Sequence, residues 1–152
     1  MAVKLARKLQ RASALTPADW RYLSIAVLEL ARARIRHATT PTGQIFLQLQ
    51  QDVSCGRGQN EGAAKHVDLE RFSWAISSAA AHVPWRSDCL LQVMAADRWL
   101  RHQGYTPSFY LGTAKDLSGN LAGHAWLRCR GVAVTGGDGA KFSVLLEPNA
   151  RR

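Results

Sequence analysis

The chain has 152 residues, 47% of them hydrophobic and 20% charged, which suits one folded domain with a buried core and excludes wholesale disorder. No apolar run approaches the roughly 18 residues a membrane span needs, and the opening MAVKLARKLQRA lacks the features of a secretory signal, so a cytoplasmic protein is expected. The net charge of +9 is weighted to the N-terminal half, with ten Lys/Arg against four Asp/Glu in residues 1–66 and ten against seven in 67–152; such a surface suits an acidic peptide or protein partner, and no nucleic-acid-binding module accompanies it.

Residues 3–12 read as a helix whose Lys4, Arg7, Lys8 and Arg11 form a basic stripe. Thr16-Pro17-Ala18-Asp19 is a helix start, with Thr as N-cap, Pro at the first helical position and an acid in the first turn. That helix should run to about His37, bury a stripe of Trp20, Leu23, Val27, Leu30 and Ala31, and place Arg32, Arg34 and Arg36 near its C-terminus. Thr40-Pro41 breaks the pattern before a shorter helix from Thr42 to about Gln50. Residues 51–66 are polar and contain glycine, and are expected to be an exposed loop carrying Cys55 as an incidental thiol. A helix over Asp68–Ala81 follows, with Phe72, Ile76, Ala79 and Ala80 as its apolar positions. After the loop His82-Val83-Pro84-Trp85-Arg86, another helix opens at Ser87-Asp88-Cys89 and runs to Gln103, where Gly104 stops it.

Beyond Gly104 the period changes to that of strands. Ser108–Thr113, Gly123–Arg130, Val132–Thr135 and Phe142–Leu146 read as short strands, with turns at Lys115–Asn120 and Arg130-Gly131. Helices first and an antiparallel sheet second make an α+β fold. The expected organisation is a single domain, 1–152, with a helical N-terminal region (1–66, loop 51–66) and a core at 67–152.

Three cysteines without CxxC spacing argue against a disulfide framework or structural zinc, and nothing in the pattern asks for a metal or other cofactor. Cys89 lies in the first turn of its helix, where unpaired backbone N–H groups and the positive dipole end favour a thiolate and can receive an oxyanion. In GHAWLRCR, His124, Trp126 and Arg128 share one strand face, and Ala125, Leu127 and Cys129 the other. Cys129 is thus expected to be a core thiol. Asp138, beyond the partner strand, is a candidate to orient the imidazole. From position alone the default reading of Cys89 is a packing cysteine.

Val83-Pro84-Trp85-Arg86-Ser87-Asp88-Cys89-Leu90, Leu100-Arg101-His102-Gln103-Gly104, Leu111-Gly112, Gly123-His124-Ala125-Trp126-Leu127 and Val134-Thr135-Gly136-Gly137 together resemble the transglutaminase-like (papain-like) fold. More narrowly they resemble the leader peptidases of lasso-peptide biosynthesis, and the LTPADW helix start is similar to that family's N-terminal region. The resemblance implies a cysteine protease that removes the leader from a ribosomally made precursor before a macrolactam-forming cyclase closes the core peptide. It implies Cys89 as nucleophile and His124 as base. The family's acid falls about a dozen residues after the His, where this chain has Gly136; Asp138 is the expected third member, with Glu147 and Asp116 as alternatives. Trp85, Gln92 and Trp126 are expected to contact substrate, Gln92 at the oxyanion or as a structural residue. The family recognises leaders through a small winged-helix-like domain for which 152 residues leave no room, so a separate leader-recognition protein is the expected partner. Other readings are a transglutaminase-like amidase or acyltransferase and a non-catalytic peptide-binding module.

Overall fold

The computed structural model describes residues 15–55, 67–115, 119–137 and 139–146, and of 50–55 the backbone alone. The helix expected at 3–12 lies outside them, as does the 56–66 part of the expected loop.

Helix α1 (Pro17–Thr39) begins with the expected cap. The Thr16 hydroxyl accepts from the Asp19 N–H at 3.2 Å, and the Asp19 carboxylate accepts from the Thr16 N–H at 2.8 Å. This reciprocal pair satisfies two donors that a helix start leaves open. The buried stripe differs from the expected one: Trp20 and Val27 are 52% and 42% exposed, while Ala26, Glu29, Leu30 and Ala33 face inward. Small alanines let α1 lie close on its neighbours. Glu29 is tolerated because Arg98 Nη1 bonds its two oxygens at 2.9 and 2.7 Å and Arg32 adds a bond at 2.7 Å. A buried carboxylate without such partners would be costly.

Helix α2 (Thr42–Cys55) continues past Gln50, so residues 51–55 are helical rather than loop. The reason is in the sequence: after Gly43 the run contains neither Gly nor Pro until Gly56. Its Ile45 and Leu49 are buried, and Phe46 stacks on Phe109 at 6.1 Å.

Helix α3 (Leu69–Ala80) is capped by Asp68, which accepts from the Arg71 N–H at 2.9 Å. It buries Phe72, Ala75, Ile76 and Ala79. Helix α4 (Cys89–His102) buries Val93, Met94, Ala96, Trp99 and Leu100, and the chain turns away at Gly104 with φ of 86°. Phe72 stacks on Trp99 at 4.2 Å, with Tyr22 of α1 edge-on to the same indole at 6.0 Å. That aromatic trio joins α1, α3 and α4.

The four strands are β1 (Ser108–Lys115), β2 (Leu121–Cys129), β3 (Val132–Thr135) and β4 (Ser143–Leu146). β1 extends to Lys115, beyond the expected Thr113, because its whole length pairs with β2. Arg130 and Gly131 close the β2–β3 hairpin with φ of 48° and 82°, as a two-residue turn matched to strand twist requires. The sheet is antiparallel in the order β3-β2-β1-β4. One face, with Phe109, Ala125, Leu127, Cys129 and Val134, joins the helical core. Tyr110, His124 and Trp126 alternate onto the other.

This order imposes a crossing. The chain leaves β3 at one edge and must pass β2 and β1 to reach β4 at the other. Gly136, Gly139 and Phe142 of that connection touch His124 or Trp126, so it passes over the face that carries them.

Two outcomes test these interactions. The hydrogen bonds of the Thr16 side chain, then of its backbone, and the Arg71 charge lower the Asp19 carboxyl below its usual range, with desolvation opposing them. A depressed folded value contributes stability above the unfolded value of about 3.9, lost as pH falls through the folded one. The urea midpoint of Asp19→Asn should therefore lie below the parent's at pH 7, with the gap narrowing as pH drops below about 4. Arg98→Ala, which leaves Glu29 only Arg32, should destabilise by about 2 kcal/mol in urea denaturation.

Candidate active site

Cys89 is the first residue of α4 and is half-buried against the helical core. Asp88 fixes this helix start: its side chain accepts from the Leu91 N–H at 3.1 Å, and its carbonyl from the Gln92 N–H at 3.1 Å. With those two N–H groups engaged, the Cys89 and Leu90 N–H groups are the donors at the head of the helix without an acceptor among the described residues. A developing oxyanion beside the Cys89 sulfur would meet them.

Gln92 uses its amide Nε2–H on the Ser87 carbonyl at 3.1 Å, which ties the first turns of α4 to the segment leading into it. Trp85 packs partly buried against the core. Its indole N–H and the Ser87 hydroxyl are both buried without a hydrogen-bond partner among the described residues.

His124 lies half-buried on β2, opposite Gly112 of β1. Its Nε2 is 2.7 Å from the Gly136 carbonyl oxygen. A carbonyl only accepts, so Nε2 carries the proton, and in the neutral ring the lone pair is on Nδ1. Phe142 stacks on the imidazole at 4.4 Å, and Trp126 lies nearly parallel to it at 6.0 Å. Trp126 is only 3% exposed, between Tyr110 at 5.6 Å and Phe142 at 6.2 Å, so it offers almost no surface to a ligand and instead supports the ring of His124.

Two glycines make this packing possible. At Gly136, with φ of 74°, a β-carbon would lie 2.6 Å from the Ala125 oxygen, 2.7 Å from Trp126 Cβ and 3.0 Å from His124 Nε2. At Gly139, with φ of 69°, it would fall 2.4 Å from the indole of Trp126. Neither position admits a side chain without displacing its neighbours.

Of the expected residues, Cys89 and Gln92 are on α4 and His124 and Trp126 on β2, two elements that pack together, while Trp85 lies in the segment before α4. Among the described residues no hydrogen bond joins Cys89 to His124; such bonds commonly tighten only when substrate is bound. Cys129 is buried in the core, as expected. Asp138, Glu147 and Asp116 all lie outside the described residues, as does the side chain of Cys55. Sequence reasoning missed Phe142 as a contact of the imidazole, because it marks only the approach to a strand.

Residues 27–147, most of the chain, match the transglutaminase-like superfamily. The chain belongs to that superfamily. The α+β arrangement of four described helices and a four-stranded antiparallel sheet agrees with a transglutaminase-like core. No curated protein and no solved structure matches the chain. The transglutaminase-like superfamily generally includes cysteine peptidases and acyltransferases. Among the described residues, no helix is long and apolar enough to cross a membrane.

The glycine packing has a measurable consequence. Gly139→Ala should destabilise the protein by about 2 kcal/mol in urea denaturation, because the new methyl strains a left-handed backbone and overlaps the Trp126 indole.

Proposed function

We propose that this protein is a cysteine peptidase that removes the leader from a ribosomally made lasso-peptide precursor, working with a separate leader-recognition protein and ahead of a macrolactam-forming cyclase. The observation that carries the chemistry is a cysteine heading α4, in a transglutaminase-like domain whose strand histidine keeps its proton on Nε2 and leaves Nδ1 as the base atom. The sequence resemblance around Cys89, His124 and Val134-Thr135-Gly136-Gly137 carries the choice of substrate.

In the first half-reaction, Nδ1 of His124 takes the proton of the Cys89 thiol, and the sulfur attacks the scissile carbonyl. The oxyanion is received by the Cys89 and Leu90 N–H groups. The imidazolium returns its proton to the departing amine, the C–N bond breaks, and the freed core peptide leaves a thioester between the leader and Cys89. In the second half-reaction the same nitrogen deprotonates water, which displaces the thiolate and releases the leader as a carboxylate. An acyltransferase would share the first half and deliver the acyl group to an amine.

The test is cleavage of a precursor peptide, followed by mass spectrometry with and without the recognition protein. The parent should yield free leader and core, faster with the recognition protein present. Cys89→Ala, with an unchanged circular dichroism spectrum, should lose on the order of 10⁴-fold or more in rate. Retained cleavage by that variant removes the proposal. An amide product formed on adding a primary amine, in place of hydrolysis, assigns the thioester to acyl transfer.

A further inference from the structure

We infer that the backbone carbonyl of Gly136 is the group that orients the catalytic imidazole of His124, in the role that a carboxylate plays in a three-membered thiol centre. This rests on the peptidase reading for the word catalytic, and on geometry for the rest.

Three observations converge. The Gly136 oxygen accepts from His124 Nε2 at 2.7 Å, a full hydrogen bond. The ring is held in its plane from one side by Phe142 at 4.4 Å and lies nearly parallel to Trp126. The backbone at Gly136 has φ of 74°, and any β-carbon there would come within 3.0 Å of Nε2. A side-chain carboxylate therefore cannot be carried at this position, while the main chain comes close enough to do the orienting itself. A histidine's tautomer is set by the hydrogen bond its other nitrogen makes, and a backbone carbonyl serves as well as a carboxylate for that purpose.

The two acceptors differ in charge. A carboxylate adds a full negative charge beside the imidazolium, whereas a carbonyl contributes only a dipole. In this protein the ring is aimed by the Gly136 carbonyl. Gly136 is thus a positioning residue that acts through its main chain and is invisible to a search for acidic side chains.

Two-bond ¹⁵N–¹H correlation spectra of ¹⁵N-histidine-labelled protein test this, with the His124 signals assigned by their loss in His124→Gln. At a pH where the ring is neutral, the proton should be on Nε2 in the parent, and it should stay there in Asp116→Asn, Asp138→Asn and Glu147→Gln. Gly137 supplies a matched control, since its φ of 70° is as left-handed as that of Gly136 and a β-carbon there meets nothing within 4 Å. Gly136→Ala should move proton population to Nδ1 and slow alkylation of Cys89 by iodoacetamide by about tenfold or more relative to Gly137→Ala, because the wrong tautomer disables the base. A parent ring protonated on Nδ1, a tautomer that shifts in any of the three carboxamide variants, or equal behaviour of the two alanine variants would overturn the assignment. Absence of precursor cleavage by the parent would remove the peptidase reading alone, since the tautomer is read without any substrate.

Discussion

The arrangement of the site depends on one steric constraint: the connection from β3 to β4 must cross the sheet on the face that carries His124 and Trp126. The indole of Trp126 is the surface on which it rests. Gly139 approaches that indole so closely that a methyl would overlap it, Phe142 packs against it, and Gly136 meets its β-carbon. A large, rigid side chain in the sheet and glycine at the two closest approaches of the connection are two halves of one fit. His124, two residues earlier on the same strand face, is clamped by the same connection.

The other half of the site is built by a different part of the protein. Cys89 owes its place to α4, and α4 is held by the Phe72–Trp99–Tyr22 aromatic contacts and by the Glu29–Arg98 pair that ties it to α1. Asp88 decides which N–H groups at the helix head are engaged and which remain to meet an oxyanion. Cys89 and His124 therefore depend on different supports: the helical core for the thiol, and the crossing connection for the imidazole.

Much of this was legible in the sequence, for identifiable reasons. Thr16-Pro17-Ala18-Asp19 and Asp88 announce helix starts through local hydrogen bonding, which needs no tertiary information. Alternation along β2 separates His124 from Cys129 because Ala125, Leu127 and Cys129, on one face of the strand, are all buried in the helical core. The inward stripe of α1 does not show in the sequence pattern because it is built largely from alanines and a glutamate, and the glutamate's partner Arg98 is far away in sequence. The polar composition of residues 51–55 points to loop, yet no helix breaker intervenes there and α2 continues through them. The acceptor of His124 was hidden for a deeper reason. A backbone carbonyl has no letter in the sequence, and Gly136 reads as the absence of an acid until the chain is folded.

The crossing connection also has a consequence for biosynthesis. Translation delivers α4 and its thiol first, β2 and the imidazole next, and the segment that clamps the imidazole after both. A nascent chain that has emerged only as far as the β2–β3 hairpin already carries the sulfur and the ring nitrogen, yet lacks the Phe142 contact and the β1–β4 pairing that close the fit. The clamp on the His124 ring is thus among the last contacts the growing chain acquires, and the Cys89 thiol leaves the ribosome before that ring is held in place.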